Sequence, residues 1–198
     1  MKVTLNIPNK LSEISLSKYQ KWIKIVKDSE DSFFLQQKMV EIFCDIPLKV
    51  VNVMKASDVT ECYDIMNKLF NGKTPLKKIT KINGVDYGFI PNLDDMSFGE
   101  YVDLDTYLSD WQTMDKAMGV LFRPCTHQDK RTYKIEPYES AEKIDMSEID
   151  LEAVFGSLVF FYNLRNELQK TILNYLQKET VVEMQQEWVD SLLNGDGI

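Results

Sequence analysis

The chemistry open to this chain of 198 residues is limited by its side chains: one histidine, His127, and three cysteines, Cys44, Cys62 and Cys125. Any Ser-His or Cys-His mechanism must run through His127, because no other imidazole can act as the base. The nearest thiol, Cys125, sits beside it in a stretch that reads as a polar loop, where an incidental histidine is the expected reading. Structural zinc sites take about four Cys or His ligands in spaced pairs, and no C-x-x-C exists here. Carboxylates are the remaining resource. Asp94, Asp95, Asp103, Asp105, Asp110 and Asp115 are of the type that holds Mg²⁺ or moves protons, and Asp103-Leu104-Asp105 is a D-x-D. On a helix, however, residues two apart do not face each other, and acids near helix starts suit the macrodipole. A solvated acidic face is therefore expected.

Phosphate-cradling loops are missing as well: there is no G-x-G-x-x-G and no G-x-x-x-x-G-K among the eight glycines. The one basic cluster, Arg123 with Lys130, Arg131 and Lys134, interleaves with Phe122 and Tyr133. It reads as a charged loop; nucleic acid is not an expected partner, and the Arg123 to Lys134 loop is the single place where a local contact with phosphates or an acidic partner stays open. Arg165 falls near an apolar stripe, where it snorkels to water or pairs with an acid, a contact with a partner being the lesser alternative. The expectation is a chain with no catalytic, cofactor or metal residues.

Charge supports that reading. Lys+Arg number 23 against 31 Asp+Glu, a net charge of -8, whereas affinity for phosphate backbones comes mostly from Lys and Arg. With 44% hydrophobic residues the chain can fold on its own core. The opening residues from Met1 to Pro8 lack the apolar stretch of a secretory signal, and no segment approaches the ~18 apolar residues of a membrane span. An odd number of widely spaced cysteines argues against a disulfide framework. These features predict a protein kept in a reducing cytoplasm.

Positioning elements follow from periodicity. Val3, Leu5 and Ile7 alternate as a short strand stopped by Pro8. Helices are predicted over Leu16 to about Lys27, with Tyr19, Ile23 and Val26 on one face; over Ser32 to about Cys44; and from an N-cap at Ser57 to a stop at Gly72. Leu48 to Met54 reads equally as strand or helix. Two alternating runs, Lys78 to Ile82 and Val85 to Ile90, flank Asn83-Gly84, the dipeptide of a type I′ hairpin turn. Helices over Phe98 to Leu108 and Asp110 to Phe122 come next, then loop from Thr126 to Lys143 with a short strand at Tyr133-Lys134-Ile135. Leu151, Val154, Phe155, Leu158, Tyr162, Leu168, Ile172, Tyr175 and Leu176 form a stripe worth about 40 Å of helix, the expected spine of the core. A last amphipathic piece, Val181 to Leu193, displays Val182, Met184, Trp188, Val189 and Leu192, and these five are the candidate partner-binding residues. The predicted fold is mostly α (α+β): a single domain over 1–198 with a short N-terminal strand, a central β-hairpin and a long C-terminal core helix. Sub-structure, if present, divides it into a helical part over 1–75 and a hairpin-plus-helical part over 76–198.

Three segments resemble one another: Leu11 to Tyr19, Leu93 to Tyr101 and Met146 to Leu151. Each reads as a helix start. Ser15, Ser97 and Asp150 stand at N-cap, Ser97 with Glu100 has capping-box spacing, and Ile14/Tyr19, Met96/Tyr101 and Ile149/Val154 have the spacing of a hydrophobic staple.

The runs Tyr87 to Leu104, Met114 to Pro124 and Gly156 to Leu164 together resemble a group of tailed-bacteriophage structural-module proteins. The opening Ile14-Ser15-Leu16-Ser17-Lys18-Tyr19-Gln20-Lys21-Trp22 is similar to that of phage tail-assembly chaperones and small baseplate components. The resemblance implies a non-enzymatic virion assembly or structural protein, made in the host cytoplasm, that binds other phage proteins such as tail, tape-measure or ring proteins. It also leaves open a permanent ring or connector subunit of the neck or baseplate, with homo-oligomer contacts. It carries over no site residues.

Overall fold

The structure, a computed structural model, describes residues 5–129, 132–164, 166 and 170. The expectations for Val3, Lys130, Arg131, Arg165, Leu168, Ile172, Tyr175, Leu176, Val182, Met184, Trp188, Val189 and Leu192 lie outside the described residues. The chain divides into two compact units, Met1–Ser157 and Leu158–Ile198. The fold is α+β, combining helices that pack on one another with a four-stranded antiparallel sheet in the order β1-β2-β3-β4.

Helix α1 (Leu16–Asp28) buries Leu16 and Trp22 and turns Tyr19 and Ile23 partly inward, whereas Val26, expected on the same face, is exposed. Helix α2 (Ser32–Phe43) starts where the Asp31 carboxylate accepts the Phe33 and Phe34 amides at 2.9 and 3.2 Å, satisfying two of the donors that a helix start leaves open. The ambiguous stretch after Pro47 is helical, as α3 (Leu48–Val51). Helix α4 (Ala56–Phe70) has Lys55 at its N-cap, so Ser57 lies inside the first turn rather than capping it. Val40, Cys44, Val51, Val59 and Cys62 form one buried cluster where α2, α3 and α4 meet, with Leu5 and Ile7 packed against it. That packing explains the alternation near the N-terminus. Residues 5–7 form no strand; their apolar side chains lie on a helical surface instead of a sheet.

A second centre is aromatic. The Tyr19 ring lies 5.3 Å from Phe70, 4.8 Å from Trp111 and 5.3 Å from Phe155, all edge to face, the arrangement ring quadrupoles favour. These contacts bind α1, α4 and the short 3-10 turn Trp111–Thr113 to the helical residues 151–157. Along that last stretch Leu151, Ala153, Val154 and Ser157 are fully buried. Gly156 permits the close approach of the Pro75 carbonyl, since a Cβ there would lie 2.3 Å from its oxygen.

The hairpin β1 (Ile79–Ile82) and β2 (Val85–Phe89) pairs Ile82 with Val85 across Asn83 and Gly84, whose φ values of 49° and 85° are those a type I′ turn requires. Helix α5 (Phe98–Tyr107) and, after the 3-10 turn, helix α6 (Met114–Leu121) follow. The predicted helix to Phe122 ends one residue early, and Phe122 opens strand β3 (Phe122–Gln128). Pro124 disfavours helical backbone at Arg123, and Phe122 gains an edge-to-face contact with its sheet partner Phe89 at 5.4 Å. Thr126 to Gln128, expected as loop, therefore belong to β3, which pairs with β4 (Tyr133–Ile135) past a bulge at Cys125/His127.

Two of the three look-alike helix starts are paired to each other. Leu16 donates its amide to Ile149 and Leu151 to Ile14, each at 2.9 Å, bridging Ser15 and Asp150. Asp150 caps its helix through the Ala153 amide at 2.9 Å, whereas Ser15 makes no cap and bonds the Ser17 hydroxyl.

In the second unit residues 158–164 are helical. Tyr162 is 67% exposed there, and Val159 and Leu164 are exposed too, which corrects the expectation of a buried stripe at Tyr162. Leu158 to Tyr162 are five consecutive apolar residues, and on a helix such a run points in every direction, so part of it must face out.

Candidate functional site

Helix α5 is fixed at its start by a complete capping box. The Ser97 hydroxyl accepts the Glu100 amide at 3.3 Å, and Glu100 Oε2 accepts the Ser97 amide at 2.7 Å. The other carboxylate oxygen of Glu100 lies 2.9 Å from Arg123 Nη2 on β3. Both side chains are buried, 7% and 9% exposed, so one Glu caps the helix and ties it to the sheet. The Arg123 guanidinium also lies over the Tyr138 ring at 5.8 Å, and the Tyr138 hydroxyl donates to the Asp103 carboxylate. Burial first, and then that carboxylate, push the Tyr138 phenol well above its usual range. Arg123 Nε has no hydrogen-bond partner among the described residues. A cavity of about 230 Å³ opens beside these groups, lined by Ile90, Asp95, Met96, Glu100, Arg123 and Glu136 among others.

Glu100 and Leu104 mark the inward side of α5. On its opposite side Phe98, Tyr101 and Val102, at the i, i+3, i+4 spacing of one helical face, are 82%, 60% and 42% exposed. A helix anchored on one side by a buried ion pair thus presents an apolar face outward on the other. Sequence reasoning passed over this face. Its signal was there, in apolar residues on both sides of α5: Leu104, Tyr107 and Leu108 on one, Phe98, Tyr101 and Val102 on the other.

The residues singled out for chemistry are spread across the molecule. The His127 side chain, 64% exposed, stands 4.0 Å from Asp129 on the outer end of β3. Cys44 and Cys62 are buried, and Cys125 is half-buried. Burial first, then the neighbouring Cys62 and Asp45, push the Cys44 thiol up to about 11. Among the acids, Asp110 caps the 3-10 turn through the Gln112 amide at 3.1 Å and faces Lys27 at 3.7 Å. Asp115 accepts from Gln20 Nε2 at 3.2 Å, and Asp103 holds Tyr138. Each works locally, and among the described residues no group of three or more His, Cys, Asp or Glu is arranged to hold a metal ion. Arg123, grouped by sequence with the exposed bases of a loop, is instead buried on β3 and committed to Glu100, so it offers no charge to a phosphate. The five candidate partner-binding residues, Val182, Met184, Trp188, Val189 and Leu192, lie outside the described residues.

Among the described residues no helix is long and apolar enough to cross a membrane. No family of known proteins, no curated protein and no solved structure matches this chain.

Proposed function

We propose that this chain is a non-enzymatic bacteriophage virion assembly or structural protein, acting in tail or baseplate assembly by binding other phage structural proteins. The observation that carries the reading is the outward apolar face of Phe98, Tyr101 and Val102 on a helix that the Ser97, Glu100 and Arg123 contacts hold rigid. Large exposed aromatic side chains on a preorganised element are the anchors from which protein interfaces are built, because little ordering entropy is lost when they are covered. This face lies inside Tyr87 to Leu104, one of the runs that resemble tailed-phage structural proteins.

The test is genetic and compositional. Interrupting the gene in the phage that encodes it should leave capsid proteins in the lysate but stop tail or baseplate completion, seen by electron microscopy. Mass spectrometry of purified virions then places the chain as a leaving assembly factor or as a retained part. Full-yield infectious particles from the interrupted phage would overturn the proposal.

A further inference from the structure

An exposed apolar face needs an occupant, and the charges around this one restrict its chemistry. Every charged residue from Ile82 to Asp115 is acidic. Asp94, Asp95 and Asp105, all exposed, lie along and before α5 beside Phe98, Tyr101 and Val102. The cavity at the foot of the helix adds Glu136. Among the described residues three bases near this region are matched: Arg123 by Glu100, Lys116 near Tyr107 by Glu142 at 2.7 Å, and Lys27 by Asp110. The surface is therefore apolar at its centre and negative at its rim.

The geometry points to the outward face of α5 as the docking surface for a basic amphipathic helix of a partner protein, its apolar stripe covering Phe98, Tyr101 and Val102 and its Lys or Arg residues meeting Asp94, Asp95 and Asp105. This rests on the docking reading above and names the partner's chemistry. Helix-on-helix recognition of this kind uses anchors at i, i+3 and i+4, which α5 supplies, and charge complementarity at the rim sets approach and orientation. A second copy of this chain is the poorer occupant, since each copy carries a net charge of -8 and like-charged surfaces repel.

The test uses the full chain and a two-heptad peptide of leucine and lysine in amphipathic order. Its probes for comparison are the same composition scrambled and a leucine/glutamate counterpart. Binding is read by fluorescence anisotropy, and the contact surface by hydrogen exchange. The ordered Leu/Lys peptide should bind and protect α5, and the Phe98→Ser, Tyr101→Ser double variant should weaken it by about tenfold or more. Asp94→Asn, Asp95→Asn and Asp105→Asn together should weaken it several-fold and flatten its salt dependence. Phe33→Ser, at an exposed phenylalanine on α2, should change nothing.

Equal binding of the scrambled or Leu/Glu peptide, a footprint on α2, or affinity unchanged in the α5 variants would overturn the inference. So would a dimer of the free chain that the Phe98→Ser, Tyr101→Ser variant disperses, since the occupant would then be a second copy. Because these are measurements on purified protein, they stand apart from the phage test. Peptide binding with a dispensable gene removes the phage assignment and keeps the docking face, and an essential gene without peptide binding does the reverse.

Discussion

Glu100 and Arg123 form a buried ion pair, Oε1 to Nη2 at 2.9 Å, in which the acid also closes the capping box of α5. Taking both charges out of water costs several kcal/mol per ion, so the pair need not add net stability, but removing one partner strands the other. Arg123→Met should therefore cost about 3–5 kcal/mol. Glu100→Gln keeps an acceptor for the Ser97 amide yet leaves the guanidinium unneutralised, and should cost a comparable amount. The Glu100→Gln, Arg123→Met double variant should lose clearly less than the two single losses added together. Denaturant unfolding of the four chains checks this, and simple additivity would mean that the two groups act independently.

The pair also shows where the sequence was readable and where it was not. Ser97, Glu100, Asn83, Gly84 and Asp150 were legible because capping boxes, type I′ turns and N-caps are local, written in residues a few positions apart. The partner of Glu100 was not, because β3 joins α5 only through the tertiary fold, and an Arg flanked by Phe122 and Pro124 looks the same in a loop as in a buried strand. The start of β3 was hidden for the same reason: Phe122 continues the helical apolar pattern of α6, and only the cross-strand contact with Phe89 decides against it. Leu5 and Ile7 show the opposite error, since a period of two marked a strand where helix packing set the pattern. The face of Phe98, Tyr101 and Val102 was written in the spacing, but apolar residues are taken as core until a structure shows which side the core occupies.

Cys44 gives a pH dependence whose sign is fixed by burial. Its thiol ordinarily ionises at 9.0 and in the fold at about 11, so between these values the unfolded chain loses a proton that the folded chain keeps. The native state then binds more protons, and stability falls as pH rises through that window, by about 2–3 kcal/mol for a shift of this size. Cys44→Ala should flatten this part of the curve while leaving that of the lysines and tyrosines. In the native protein near pH 8 a thiol reagent should label half-buried Cys125 before Cys44 or Cys62. Labelling of Cys44 first would show that the α2–α4 cluster opens readily.

His127→Ala tests the non-enzymatic proposal. The ring is mostly exposed, 4.0 Å from the Asp129 carboxylate, so its loss should leave stability within about 0.5 kcal/mol of the parent. Phage yield should be unchanged. Loss of infectivity with the fold and partner binding intact would count against the non-enzymatic reading, because a lost partner contact at this exposed ring would show in the binding as well.

Truncation after Thr180 separates the two candidate docking regions. It removes Val182, Met184, Trp188, Val189 and Leu192 and leaves the first unit, whose buried residues run from Pro8 to Ser157. The shortened chain should stay folded and keep the affinity of the full chain for the Leu/Lys peptide, because Phe98, Tyr101, Val102 and the Glu100–Arg123 anchor are untouched. Its recovery with assembling tails, measured by sedimentation of lysates, then reports on the C-terminal residues alone. A folded, peptide-binding chain that fails to join the assembly makes those five residues a second contact with the partner. A shortened chain that aggregates by itself places them in the protein's own core, and docking rests with α5.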